Sequence, residues 1–192
     1  MALSFPTHRA LVRRQRDRAA QARIVKTLAE IRGKIEFPVE GEPFTLAARA
    51  DRIDLFADGS VGVVDYKTGA APSNKEMRVG LAPQLPLEAA IARAGGFPGL
   101  PKIASVSEIA VIRLSGGNPA GEVRPFAPGD QIKSCDELAD FNLARLKDLL
   151  AAFANDEQPY HPIPRPKWRL RYGKYDHLAR TQEWSASGGE DE

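Results

Sequence analysis

Asp58-Gly59 lies between two runs rich in strand-forming residues, Phe44 to Phe56 and Ser60 to Lys67, and so commits this part of the chain to an antiparallel hairpin. The second run, Val61-Gly62-Val63-Val64, ends in Asp65-Tyr66-Lys67. A strand has a two-residue side-chain period, so Asp65 and Lys67 emerge from the same face and a carboxylate and an ammonium converge on one spot. The first run carries its own acids in Ala50-Asp51-Arg52-Ile53-Asp54. The turn decides which of them meets Asp65. A three-residue loop of Ala57, Asp58 and Gly59, with Gly59 in the left-handed region, pairs Ser60 with Phe56 and sets Asp51 directly across from Asp65. A two-residue Asp-Gly turn shifts the register by one and turns Asp54 inward instead. The three-residue loop, and with it Asp51, is favoured.

A chain of 192 residues, 43% of them hydrophobic, is long enough for one sizeable core. A single cysteine, Cys135, excludes an internal disulfide framework and any zinc or iron-sulfur site built on cysteine alone. No apolar stretch reaches the roughly 20 residues that span a bilayer, and Met1 to Phe5 lacks the apolar region of a signal peptide. A cytoplasmic protein without membrane contact is the expectation. The net charge of +2 says little, but its distribution says more. Arg9, Arg13, Arg14, Arg16, Arg18, Arg23 and Lys26 crowd the first segment, either as a solvated helix face or as a surface that contacts phosphates.

From about Ala10 to Arg32 the chain is rich in Ala, Arg, Leu and Ile without Gly or Pro, which predicts a helix stopping at Gly33. Ile24, Leu28 and Ile31 would face the core. Glu30 then falls in the last turn, where its charge opposes the helix dipole, and it becomes a candidate third acid for the hairpin site. Strands are expected at Lys34 to Val39, Phe44 to Phe56 and Ser60 to Lys67, together forming the centre of the sheet. Thr68 to Ser73 reads as a loop that opens a path for substrate. Ala82 to Ala94 reads as a helix closed by Gly95-Gly96, with Pro86 in its first turn and Gln84 and Glu88 one turn apart on one face. A strand at Val106 to Leu114, stopped by Ser115 to Pro119, and a helix at Asp136 to Asn155 follow. Leu138, Phe141, Leu146, Leu149, Leu150 and Phe153 would supply that helix's apolar stripe. The order of elements is α/β, with a mixed central sheet flanked by helices. Beyond Pro159 the prolines at 162, 164 and 166 forbid regular helix and predict an extended C-terminal tail.

Two carboxylates and a lysine on paired strands suit the hydrolysis of a phosphodiester. That reaction needs charge on the phosphate neutralised, a water made nucleophilic and the leaving oxygen stabilised, which carboxylate-held Mg²⁺ can do, with Mn²⁺ as an alternative. Asp51 and Asp65 would supply metal oxygens, the Tyr66 carbonyl a further one, and Lys67 would orient the attacking water.

Ala48-Arg49-Ala50-Asp51-Arg52-Ile53-Asp54, Val64-Asp65-Tyr66-Lys67-Thr68-Gly69 and Ala82-Pro83-Gln84-Leu85-Pro86-Leu87-Glu88-Ala89-Ala90 together resemble the RecB-like branch of the PD-(D/E)XK nucleases. They resemble more closely the C-terminal nuclease domain of the AddB family, subunits of AddAB helicase-nucleases that process double-strand breaks. The resemblance runs from about Arg23 to Trp184. It implies a restriction-endonuclease-like core, with Asp51 and Asp65 as metal-binding acids, Lys67 as the catalytic lysine, Gln84 as the glutamine of the Gln-x-x-x-Tyr motif, and Glu30 as the helix acid completing the site. It also implies Mg²⁺-dependent cleavage of single strands in recombinational repair, with DNA and an AddA-type helicase-nuclease subunit as partners. The chain departs from the pattern in three ways: Glu88 stands where the wider branch has tyrosine, the cysteines of an iron-sulfur cluster are absent, and no histidine matches upstream of the first acid. The long region preceding the nuclease in AddB has no counterpart, so a fragment, a truncated product and a free-standing relative all remain open. The competing function is a weakly active or inactive module that binds DNA and a partner.

The expected organisation is a basic helical extension at 1–22, a nuclease domain at 23–158, an extended basic-aromatic segment at 159–184 and a disordered tail at 185–192. Arg165, Lys167, Trp168, Arg169, Arg171, Tyr172, Lys174 and Tyr175 interleave cations with rings, which suits either base stacking on DNA or pinning of the tail to the domain or a partner subunit.

Overall fold

The computed structural model describes residues 24–100, 105–114 and 121–158. Its first element is a strand where the sequence predicts a helix. Strand β1 (Ile24–Val39) pairs along its length with β2 (Glu42–Phe56), from Ile24 opposite Phe56 to Val39 opposite Glu42. The two are joined by Glu40-Gly41, both with positive φ (48° and 90°), as a tight two-residue turn requires. The apolar spacing that mimics a helix has a local cause. The register slips between Ile24 and Lys26, and Glu30 adopts a left-handed φ of 51°, so the inward positions run Ile24, Leu28, Ile31 instead of alternating. Gly33, read as a helix stop, is mid-strand; a Cβ there would lie 2.3 Å from the Phe97 ring. Residues 10–23 of the predicted helix fall outside the described residues.

The second hairpin forms as the three-residue loop dictates. Gly59 has φ 83°, its N–H donates to the Phe56 carbonyl (3.0 Å), and the Phe56 N–H donates to the Ser60 carbonyl (2.9 Å). Asp58 Oδ1 ties the turn by accepting from the Ser60 amide (2.9 Å) and hydroxyl (2.7 Å). Strand β3 (Val61–Lys67) then pairs with β2 through Leu55 opposite Val61 and Arg52 opposite Val64. Continued by one pair, that register brings Asp51 and Asp65 together.

The sheet has five strands in the order β1-β2-β3-β4-β5. Strand β3 alone is central among the three expected there, and β1 is an edge, where Pro38 is tolerated. β4 (Val106–Leu114) runs parallel to β3, so the chain must cross over between them, and a short edge strand, β5 (Gly121–Pro125), pairs antiparallel with β4. The crossover carries α1 (Asn74–Arg78) and α2 (Gln84–Arg93). α1 falls where the sequence predicts no element, although Ser73 and Glu76 form a reciprocal capping box at its start. α2 begins after Pro83, holds Pro86 in its first turn and ends before Gly95, whose φ is 72°.

Helix α3 (Cys135–Ala154) packs against α2 and the sheet. Leu138 and Ala139 are fully buried, whereas Leu149 and Phe153 at the far end of the expected stripe are 54% and 38% exposed. Ile53, Val61, Val63, Ile109 and Val111 from the sheet meet Leu85, Ala89 and Ile91 of α2 to form the core. The arrangement is the mixed α/β sheet with flanking helices that the element order implies, and it delivers the end of β3 to the start of α2. The stop at 115–119, the basic-aromatic segment and the tail lie outside the described residues.

Candidate active site

Asp65 is the last buried residue of β3, only 3% exposed, and its carboxylate meets the first turn of α2. Its Oδ1 accepts hydrogen bonds from Gln84 Nε2 (3.0 Å) and Lys67 Nζ (3.1 Å). Lys67, two residues along on the same face, also donates to Gln84 Oε1 (3.2 Å). The amide of Gln84 is thereby oriented from both ends: its oxygen receives the ammonium and its nitrogen donates to acids. Asp65 Oδ2 is buried without a hydrogen-bond partner among the described residues. Burial raises the Asp65 carboxyl above its ordinary range, Lys67 opposes that rise, and the charge of Asp51 adds to it.

Asp51 stands across the hairpin, half-buried, with Oδ2 accepting the Tyr66 N–H at 3.0 Å. Asp54, the alternative inward acid, is wholly buried in another network, where its Oδ1 accepts from Arg52 Nε (2.8 Å) and Thr27 Oγ1 (2.7 Å). Arg52 also reaches the Tyr66 hydroxyl at 3.3 Å. Asp54 thus neutralises a buried arginine, and Asp51 is the acid that faces Asp65.

Glu30 is on a strand and not on a helix. Its neighbours Ala29 and Ile31 pair with Arg52 and Ala50, which sets it level with Asp51, but its exposed carboxylate pairs with Arg49 and is not drawn into the network around Asp65. Glu88 enters instead. It is 2% exposed, Oε1 accepts from Gln84 Nε2 (3.2 Å), and Oε2 has no partner among the described residues. Burial pushes its carboxyl up to about 7, with the charges of Asp65 and Asp51 adding to the rise. The legible signal was an acid one turn after Gln84 within the apolar run Leu85 to Ala90.

Beside these groups lies a small cavity of ≈ 130 Å³ lined by Asp65, Lys67, Pro72, Met77, Pro83 and Gln84, so the loop before α1 does border the site. A larger open cleft of ≈ 700 Å³, lined by Arg32, Lys34, Arg49 and Gly96, holds none of the acids of this network. Of the two, the smaller borders Asp65, Lys67 and Gln84.

Two buried carboxylate oxygens without partners, beside a third acid and one lysine, form a hard-oxygen donor set that fits a divalent cation. Among the described residues, no three His, Cys, Asp or Glu side chains converge at direct metal-ligand spacing, so water would fill part of the coordination.

A mixed sheet that sets Asp51, inside β2, across from Asp65 near the end of β3, with a lysine two residues after Asp65, suits a nuclease. The chain belongs to the PD-(D/E)XK nuclease superfamily, whose sequence profile matches residues 2–168. Nucleases of this superfamily generally use divalent metal ions. Among curated proteins the chain is similar to uncharacterised proteins of Rickettsia. It is 35% identical over 72 residues to one from Rickettsia bellii, covering 38% of this chain and 9% of that protein. It is 34% identical over 86 residues to one from Rickettsia typhi, covering 45% of this chain and 10% of that protein. The chain thus spans about a tenth of the length of these relatives. Among solved structures, the crystal structure of SSO0001 aligns with a TM-score of 0.40 at 14% identity, over 72% of this chain and 56% of that one. No helix of the described residues is long and apolar enough to cross a membrane.

Proposed function

We propose that this chain is a Mg²⁺-dependent deoxyribonuclease of the AddB type, which cleaves single strands exposed at double-strand breaks and works with an AddA-type helicase-nuclease subunit. The observation that carries this reading is Asp65: a buried carboxylate with one oxygen held by Lys67 and Gln84 and the other without a partner among the described residues, opposite Asp51.

In this reading Asp51 and Asp65 hold the cation, with the Tyr66 carbonyl as a further oxygen. Bound there, Mg²⁺ would offset charge on the scissile phosphate and acidify a coordinated water. Lys67 has one ammonium N–H on Asp65 and one on Gln84, which leaves a third donor to orient the attacking water. Gln84 fixes both the lysine and the acid, so neither must reorganise when DNA arrives.

The test is degradation of linear single-stranded DNA by the purified chain, alone and with its helicase partner, with and without Mg²⁺. Metal-dependent loss of substrate that disappears in Asp65→Ala supports the reading. A folded wild-type chain that cleaves nothing, even with the partner present, leaves the competing binding module as the better account.

A further inference from the structure

Glu88 is the one acid on α2, between apolar neighbours that pack into the core. Such a carboxylate normally recovers its lost hydration through hydrogen bonds on both oxygens. Here only Oε1 is used, by Gln84 Nε2, and Oε2 is buried with no partner among the described residues. The same Gln84 nitrogen donates to Asp65, whose Oδ2 is likewise buried and unpartnered. Two acids held by one amide nitrogen, each with its other oxygen unpartnered, repel each other when both are ionised unless something positive lies beside them. Lys67 bonds to Asp65 and Gln84 and reaches Glu88 only through its charge, which offsets little of the cost of burial. A glutamine or methionine would fit this helix position without the cost of burying an acid, and a cation close by is what would let Glu88 ionise there.

We propose that Glu88 is a third acid of the cation site, acting through water on the hydration shell of the divalent ion that Asp51 and Asp65 hold. This rests on the nuclease reading above and deepens it. The tyrosine expected at this position carries no charge. Glu88 therefore gives this chain a more acidic site than the wider family pattern, one that holds the ion more firmly. Its place is indirect because direct three-acid ligation is not formed among the described residues. Glu88 is thus a positioning residue: it fixes the ion's water and, through Gln84, the orientation of Asp65.

The experiment is calorimetric titration of the full chain with Mn²⁺ alone, comparing wild type, Glu88→Gln, Glu88→Asp and Asp65→Ala. Glu88→Gln keeps an oxygen for Gln84 and removes only the charge. It should weaken Mn²⁺ binding about tenfold, in the range found for groups that act on a metal through its ligands. Glu88→Asp should recover part of that loss, and unfolding in EDTA should stay cooperative in both. Wild-type affinity in Glu88→Gln would overturn the inference while leaving the nuclease reading intact. Equal weakening in Glu88→Gln and Glu88→Asp would overturn it too, because shape and not charge would then matter. No Mn²⁺ binding by the wild type would overturn the cation site itself, and the part of Glu88 with it.

Discussion

Replacing Glu88 by glutamine should change how stability depends on pH when no metal is present. The carboxyl titrates near 4.5 in an unfolded chain and is pushed up to about 7 in the folded one. Between those values the folded state binds more protons than the unfolded state, so stability falls as pH rises. The contribution is whole below pH 4.5 and is lost as pH passes through 7. At 1.36 kcal/mol per unit, the separation corresponds to about 3 kcal/mol. Glutamine does not titrate. The difference in unfolding free energy between Glu88→Gln and wild type should therefore grow in favour of the variant by about 3 kcal/mol from pH 4.5 to pH 8. Urea unfolding in EDTA at a series of pH values measures this directly. Adding Mn²⁺ should shrink the difference, since a cation favours the ionised acid. Parallel stability curves for the two proteins in EDTA would refute the claim that Glu88 is forced to hold its proton by burial beside two other acids.

Other substitutions probe the frame around the site. Asp54→Ala strands the buried Arg52 guanidinium and should cost about 3–5 kcal/mol in urea unfolding, while a loss below about 1 kcal/mol would contradict the buried pair. Gly96→Ala places a Cβ 2.3 Å from the Lys34 carbonyl, so its melting temperature should fall clearly below wild type in a thermal scan. Glu30→Ala removes only an exposed ion pair with Arg49 and should shift stability by less than about 1 kcal/mol. Mn²⁺ affinity should likewise stay close to wild type, and a large loss there would return Glu30 to the site.

The hairpin from Glu42 to Lys67 was legible because its information is local. Asp58-Gly59 selects the turn, the turn selects the register, and the register brings Asp51 to Asp65. α2 was legible for the same reason, since Pro83 and Pro86 bound its start, which falls at Gln84, two residues after the Ala82 expected. β4 has the bounds that its apolar run implies. β1 misread as helix because a register slip and one left-handed residue imposed helical spacing on a strand, and only pairing with β2 outweighs that pattern. α1 and β5 are five residues each, too short for periodicity to accumulate. Glu88 lay in plain sight on the right helix face. An acid beside alanines reads as solvated until packing of α2 buries it, and burial is a tertiary fact.

In the proposed mechanism Asp65 holds the cation and Lys67 acts on the attacking water. The most direct test measures Mn²⁺ affinity and the rate of single-strand cleavage together for Lys67→Ala. If that mechanism holds, affinity stays close to wild type and cleavage slows by about 10²-fold or more. Cleavage at the wild-type rate, with the ion still bound, would contradict it.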